Sequence, residues 1–188
     1  MVKIEVVTQP TQQVVNFDDL RDHLRIETHD DDALLVQYLD SATAQAENYT
    51  GLHLRSQTIK LWFDHFPTDS LKLYAAPFMA ITRVDYYDTD NALQTYALSD
   101  VDIDLYQGLI RPYPTKTWPD TYDRYNAVGI EATVGYTAAT LPVAIRQAIL
   151  MMAGHFYENR EATAPRAAPK SIEFGFKALL DPYRRHTV

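Results

Sequence analysis

The chain has 188 residues, a formal net charge of −8 and no cysteine. This length fits one domain, or one domain with an inserted module, with a sizeable core. The lack of cysteine excludes disulfides, thiolate metal sites and thiol nucleophiles. No apolar run approaches the roughly 20 residues that a transmembrane helix needs, and the first ten residues lack the apolar core of a signal peptide. We therefore expect a soluble protein made in the cytoplasm.

The charge is distributed unevenly along the chain. Residues 1–50 hold 10 acidic and 3 basic side chains, whereas residues 141–188 hold 4 acidic and 7 basic ones. An acidic front and a basic tail favour head-to-tail contact between copies, or docking of the tail on an acidic partner. Ordinary solvated faces would produce the same asymmetry. No basic stripe with interleaved aromatics is present, which argues against tight binding to a phosphate backbone.

Two helices are predicted within residues 14–51. The first lies within Val14–Ile26 and is predicted to be the first ordered element, with Asn16 or Asp18 as its cap. The second begins with a capping-box-like pair, Thr28 and Asp31. It carries an apolar stripe and ends at a glycine cap. The stripe and the cap consist of Leu34, Leu35, Tyr38, Leu39, Ala42, Ala46, Tyr49 and Gly51.

An antiparallel β insert is predicted over residues 57–136, because the apolar period changes to two after Gln57. Pro77 interrupts the insert, and the turn at 88–91 is expected to join two paired strands. A loop around Trp118 is expected to be irregular, since Pro112, Pro114 and Pro119 lie close to it. The predicted strands begin at Gln57, Leu71, Ile81, Leu93, Val101, Leu109 and Asn126.

The central helix is predicted over residues 141–161. Pro142 suits the first turn, and no polar side chain occurs on any face between Ala148 and Ala153. A surface helix shows one apolar stripe, so this section must be covered on most sides. We interpret it as a helix held between its own chain and a neighbouring subunit, although a core helix in a monomer would show the same pattern. The candidate subunit-interface residues are Ile149, Met151, Met152, Phe156 and Tyr157.

A linker is predicted over residues 162–170, and a C-terminal helix and tail over residues 171–188. The helix is expected to span Ser171–Leu180, because Pro182 stops it. The predicted fold class is therefore α+β. It consists of a small bundle of two N-terminal and two C-terminal helices with the antiparallel β insert between them, and residues 1–188 form a single domain.

No pattern predicts catalysis, a metal or a cofactor. Asp30, Asp31 and Asp32 lack the spacing of a calcium loop. Asp100, Asp102 and Asp104 alternate as on a solvated strand edge. His155 and Glu158 share a helix face but belong to no zinc or di-metal motif, so we interpret them as a helix-end pair.

Several stretches, taken in order, resemble the head–tail connector (adaptor) family of tailed double-stranded-DNA phages, prophages and gene-transfer agents. The resemblance runs from about Val14 to Arg184. The loop at Trp118–Arg124 and the linker before Ser171 depart from the family pattern. The stretches are FDDLRDHLRI from Phe17, DDDALL from Asp30, AENYTG from Ala46, QT at Gln57, DHFP from Asp64, Pro77, VDYYD from Val84, GY at Gly135 and residues 142–160.

This resemblance implies a structural role in the virion neck, at the head–tail interface, after assembly in the host cytoplasm. Family members form a homo-oligomeric ring under the portal, which we expect to be twelve-fold. The ring extends the DNA channel and docks the next head-completion or tail protein. Double-stranded DNA passes through the lumen without sequence-specific binding, and no membrane is involved. The family docks on the portal through its C-terminal segment, here with Lys177, Arg184 and Arg185 as candidate contacts.

Two other functions stay open from the residues alone. A small enzyme would have to use His155 with Glu158, although general acid–base work needs converging partners that the pattern does not supply. A ligand-binding module would present the aromatic side chains of the β insert to a sugar or peptide, although such side chains more often pack. These are Trp62, Tyr86, Tyr87 and Trp118.

Overall fold

A computed structural model of the chain describes residues 3–10, 12–159 and 169–185, with no side-chain placement for 169–173. The backbone divides into two compact units. The β unit contains the described residues of Met1–Thr11 and Arg55–Gly135, and the helical unit contains those of Gln12–Leu54 and Tyr136–Val188. The α+β class is confirmed. The assignment of residues 1–188 to one connector domain stays a prediction.

The β unit contains a five-stranded sheet in which all neighbours are antiparallel. The long strands form where apolar and polar residues alternate, which places one side chain in two on the covered face. Across the sheet, the strands are β1 (Lys3–Thr8), β2 (Gln57–Phe63), β8 (Val128–Val134), β4 (Phe78–Tyr87) and β5 (Leu93–Tyr96).

A smaller antiparallel sheet completes the β unit, and both sheets contribute to one apolar core. On β8, the alternating side chains Val128, Ile130, Ala132 and Val134 are fully buried, as their period of two predicts. The smaller sheet adds Val101 and Ile110 to that cluster. Its strands, in spatial order, are β3 (Leu71–Lys72), β7 (Leu109–Pro112) and β6 (Val101–Asp104).

Strand β1 corrects the prediction that the ordered part of the chain begins at Val14. Its residues pair antiparallel with β2, with Ile4 opposite Leu61 and Val6 opposite Ile59. The indole nitrogen of Trp62 also donates a hydrogen bond to the Glu5 carboxylate at 2.9 Å. All six residues of β1 are exposed, and β1 forms one edge of the sheet. The β structure is therefore not a plain insert between helices, since its first strand precedes them.

The helical unit contains four helices, two from each end of the chain, as predicted. The first is capped by Asn16, whose side chain accepts a hydrogen bond from the Asp18 amide. The second ends at Gly51, which adopts a left-handed φ of 69°. The helices are α1 (Phe17–Leu24), α2 (Asp32–Thr50), α3 (Val143–Glu158) and α4 (Pro169–Leu180).

Two predicted helix ends are wrong by a few residues. Helix α2 begins after Asp31, which makes no side-chain cap bond, so the capping box from Thr28 does not form. The Arg21 guanidinium binds the carbonyl oxygens of Glu27 and Thr28 at 3.2 and 3.1 Å, which holds that segment outside the helix. Helix α3 is shorter than the predicted 141–161, with Pro142 as its N-cap and Asn159 as its C-cap.

The predicted linker at 162–170 lies almost entirely outside the described residues, as does the end of the tail at 186–188. The predicted C-terminal helix is present and begins two residues earlier, at Pro169. Asp181–Tyr183 then forms a short 3₁₀ turn that contains Pro182. The helix therefore stops where the proline was expected to stop it.

Candidate functional site

The central helix α3 is covered mainly by its own chain. Ile149 is fully buried and Met152 is nearly so. They join an apolar cluster that includes Leu35 and Leu39 of α2 and Phe176 of α4. The apolar section between Ala148 and Ala153 is therefore accounted for largely by packing within the helical unit, with Met151 only half-buried.

The five predicted interface residues separate into buried and partly exposed ones. Phe156 and Tyr157 are half-buried. The Phe156 ring lies 6.2 Å from that of Tyr38, and the Tyr157 hydroxyl donates to Asp31 at 2.8 Å. An interface through these five residues stays a prediction. Because Ile149 and Met152 are buried, the predicted interface residues with accessible surface for a neighbouring subunit are Met151, Phe156 and Tyr157.

The outer face of α3 is poor in charge. Val143, Gln147, Met151 and His155 follow one another at four-residue steps, which places them on one side of the helix. Val143 is 78% exposed, and Gln147 is also exposed. The sequence pattern did not predict that Val143 is exposed, because all apolar residues of this helix were expected to be covered.

An open cavity of about 270 Å³ lies between α1 and α3. Gly154 allows the close approach of the two helices, since a Cβ there would lie 3.2 Å from a methyl carbon of Leu24. His155 and Glu158, predicted as a pair, both line this cavity. His155 interacts through Nδ1 with the side-chain amide of Asn159 at 3.0 Å. The full lining is His23, Leu24, Arg25, Met151, Gly154, His155 and Glu158.

The predicted portal contacts lie on a C-terminal segment that is anchored to the end of α2. The Tyr49 hydroxyl donates a hydrogen bond to the Asp181 carboxylate, which raises the pKa of that hydroxyl. The Arg184 guanidinium lies 5.3 Å from the centroid of the Tyr49 ring. The Arg185 amide donates to the Thr50 carbonyl at 2.8 Å. Lys177 and Arg184 are exposed, and docking through them stays a prediction.

A charge network lies on the polar face of the five-stranded sheet. The Asp85 carboxylate, only 2% exposed, accepts hydrogen bonds from Lys60 at 2.9 Å, Arg83 at 2.7 Å and Thr95 at 2.9 Å. Burial alone would raise the pKa of Asp85, but these donors and the two positive charges lower it. The network links β2, β4 and β5 across the sheet. No sequence motif predicted it.

The aromatic side chains that were candidates for ligand binding mostly contact other side chains. The rings of Trp118 and Phe66 stack at 4.4 Å, and Tyr86 packs on Phe66 at 5.9 Å. The Arg124 guanidinium lies 4.1 Å from the centroid of Tyr87. These rings pack into the β unit and do not form a shared open platform.

The acidic runs have local partners. Asp100 pairs with Lys116 at 3.0 Å and Asp102 with Arg111 at 2.8 Å, while the Asp104 carboxylate accepts from the Gln107 amide. Within residues 3–10, 12–159 and 169–185, no group of three or more His, Cys, Asp or Glu side chains is arranged to hold a metal ion. No helix in the same ranges has the length and apolar character needed to cross a bilayer.

Part of the chain is similar to a known protein family. Residues 15–77 match the sequence profile of the phage gp6-like head–tail connector proteins. A search of curated proteins finds no match.

Solved structures give matches over nearly the whole chain. One is a chain from the neck of an empty gene-transfer-agent particle computed with six-fold symmetry. It is 26% identical with a TM-score of 0.77, covering 99% of this chain and 97% of that one. A second, from the virion of a native gene-transfer-agent particle, is 26% identical with a TM-score of 0.76, covering 98% and 96%. A third, from the neck of a native particle computed with twelve-fold symmetry, is 26% identical with a TM-score of 0.75, covering 99% and 97%. The chain is thus similar to phage head–tail connector proteins over residues 15–77, and to chains of gene-transfer-agent particles over nearly its whole length.

Proposed function

We propose that this protein is a structural component of a virion neck, where copies form a ring under the portal and dock the next head-completion or tail protein. The observation that supports this most is the similarity over 99% of the chain to a protein of a gene-transfer-agent neck. That similarity includes both units, so it concerns the whole chain and not one shared motif.

The ring is proposed to contain twelve copies. Related chains occur in necks computed with six-fold and with twelve-fold symmetry. A ring of twelve is compatible with both, because a twelve-fold axis contains a six-fold one. Cyclic symmetry joins two different surfaces of one chain, and the uncharged outer face of α3 is a candidate for one of them.

Portal docking is proposed to use Lys177, Arg184 and Arg185. Lys177 and Arg184 are exposed and Arg185 is half-buried. All three follow an acidic N-terminal half, in a chain of net charge −8. The anchoring of this segment at Tyr49 and Thr50 presents the basic groups at a fixed position on the helical unit. A preorganised segment loses less conformational entropy on binding.

Double-stranded DNA is proposed to pass through the ring without being held by sequence. A protein that grips DNA neutralises phosphates with clustered Lys and Arg. This chain instead has 25 acidic side chains against 17 basic ones. An acidic channel wall repels phosphate and lets DNA slide.

A structural role is also preferred to the two alternatives. His155 and Glu158 share the α1–α3 cavity with Arg25 and His23, but nothing there places a nucleophile beside a base as acid–base chemistry requires. The aromatic rings of the β unit are largely engaged by neighbouring side chains. Neither observation favours a small-molecule function.

The test is assembly with the cognate portal. The purified chain, alone and mixed with portal rings, is analysed by mass photometry and electron microscopy, and we expect closed rings on one face of the portal. Lys177→Glu with Arg184→Glu should weaken the portal complex by roughly tenfold or more. Lys3→Glu with Lys72→Glu, at two exposed positions of the β unit, is the matched charge control. A chain that stays monomeric under both conditions would contradict the proposal.

A further inference from the structure

Helix α4 exposes one large aromatic side chain to solvent. Phe174 is 75% exposed, whereas Phe176 and Leu180 of the same helix are buried in the helical unit. Phe174 therefore does not belong to the face that packs on α3. An exposed phenyl ring has no polar group that would make water a good environment for it, and isolated rings of this kind commonly anchor interfaces.

The cavity between α1 and α3 has the size to accept such a ring and supplies some apolar contact. Its volume is about 270 Å³, and a cavity of about 150 Å³ with an apolar lining can hold benzene. Leu24 and Met151 supply apolar contact, and methionine sulfur interacts favourably with aromatic rings. Phe174 is not one of the residues that line the cavity of its own chain.

Much of the cavity lining is polar. Arg25, His155 and Glu158 contribute to it. A guanidinium placed over the face of a phenyl ring adds a cation–π attraction of roughly 0.5–1 kcal/mol or more as water is excluded. The lining thus combines apolar contacts for the ring with polar groups, as anchor pockets at interfaces do.

Ring and cavity are different surfaces of the same helical unit. Met151 connects them, because it lines the cavity and its methyl group lies 3.2 Å from the position that a Cβ of Gly175 would occupy. When a projecting apolar group fits a pocket elsewhere on the same molecule, the contact repeats from copy to copy and closes into a ring if the rotation permits. This is the kind of contact that cyclic symmetry needs.

We infer that Phe174 of one copy inserts into the α1–α3 cavity of the next copy and forms the repeating subunit contact. This inference rests on the proposed ring and names the residues that build it. A second copy is the occupant, because the chain itself supplies both halves of the contact. The contact makes Phe174 and Met151 interface residues and leaves Ile149 and Met152 in the core of each protomer.

Assembly of alanine variants of the full chain tests the anchor. Phe174→Ala should raise the protein concentration at half-assembly by about tenfold or more, as expected for a central aromatic anchor. Tyr106→Ala is the matched control, since Tyr106 is also an exposed aromatic residue and does not line the cavity. It should change that concentration by less than about twofold. Both side chains are exposed, so the thermal unfolding midpoints of the two variants should match that of the natural chain.

Crosslinking tests whether Phe174 of one copy lies at the cavity of the next. Because the chain contains no cysteine, each introduced thiol is the only one in its variant. Ala178→Cys places a thiol one turn from Phe174 on the exposed face of α4, and Glu158→Cys places one in the lining of the cavity. A short bis-maleimide should join the two variants when they are mixed and assembled, while neither variant alone should form dimers.

The outcomes separate this inference from the proposed function. Rings that form equally well with Phe174→Ala, or crosslinks within Ala178→Cys alone, would overturn the Phe174 contact and leave the connector role intact. A crosslink from Ala178→Cys to the portal instead of to a second copy would also overturn it. Failure of the natural chain to form rings even with portal would overturn both.

Discussion

The ammonium nitrogen of Lys60 lies 2.9 Å from a carboxylate oxygen of Asp85, although β8 separates the strands that hold the two residues. The register places Gly129 of β8 directly beside Asp85 and beside Trp62, the residue two positions after Lys60. The Lys60 side chain crosses β8 over this glycine. A Cβ at position 129 would lie 2.5 Å from the Cε of Lys60 and 2.9 Å from the Trp62 ring.

Gly129→Ala is therefore expected to destabilise the β unit by about 1–3 kcal/mol, because the added methyl group displaces Lys60 from Asp85 or moves the Trp62 ring. Urea unfolding monitored by tryptophan fluorescence measures this free energy. Both tryptophans, Trp62 and Trp118, belong to the β unit.

Gly175→Ala in α4 is the control for this change. Its nearest neighbour is the flexible end of Met151 at 3.2 Å, and alanine favours a helix interior over glycine. The fluorescence-detected midpoint should then stay unchanged. An equal loss of stability in both variants would mean that the Lys60 side chain over Gly129 is not the cause.

Asp85 itself should control the acid stability of the β unit. Asp85→Asn keeps the shape but removes the charge that Lys60 and Arg83 share, and we expect a loss of about 1–3 kcal/mol near pH 7. The pKa of Asp85 is lowered in the folded state, so the unfolded chain takes up the proton first as the pH falls. The natural protein should lose this stability below about pH 4. The variant should show a flatter dependence there in acid unfolding series.

The sequence patterns predict the local structure well and the long-range contacts poorly. Alternation on β8 is a property of neighbouring residues, and it correctly placed Val128 and Ile130 in the core. Strand β1 alternates only at its start, where Ile4 lies between Lys3 and Glu5 and is followed by Val6 and Val7. Its partner β2 follows about fifty positions later, so the pattern of β1 alone did not distinguish it from a loop.

The candidate subunit-contact surface was also difficult to predict from the sequence pattern. An all-apolar stretch such as 148–153 indicates that α3 is covered but not by which element. The burial of Ile149 and the exposure of Val143 depend on where α1, α2 and α4 lie. Phe174 lies only two positions from the buried Phe176, and periodicity places those two residues on different faces without saying which face is solvent.

His53 should make the helical unit less stable as the solution becomes mildly acidic. Its burial, with the nearby Arg185 charge, lowers the pKa of the imidazole, although Glu47 acts in the opposite direction. The folded state then resists protonation while the unfolded state accepts it. The free energy of unfolding should be highest above about pH 6.5. It should fall as the pH drops from there to the pKa of His53 in the folded state, and level off below that pKa.

Thermal unfolding followed by circular dichroism between pH 8 and pH 5 measures this dependence. His53→Gln removes the titrating group and should reduce the slope in that interval. A direct NMR titration of the His53 ring provides the second readout. A His53 pKa at or above its ordinary value, or an unchanged slope in the variant, would contradict this account.

Tyr49 should fix the C-terminal segment through its hydroxyl group more than through its ring. Tyr49→Phe removes the hydrogen bond to Asp181 but keeps the aromatic contacts with Phe176 and Arg184. We expect several-fold faster hydrogen exchange at the Arg185 amide, which donates to Thr50 in the natural protein, because the turn after α4 opens more often. Tyr157→Phe is the matched control, since it removes a similar phenol–carboxylate bond at the distant Asp31 and should leave the Arg185 amide unaffected. If both variants accelerate that amide equally, the effect reflects general loosening of the helical unit and the anchoring role of Tyr49 is wrong.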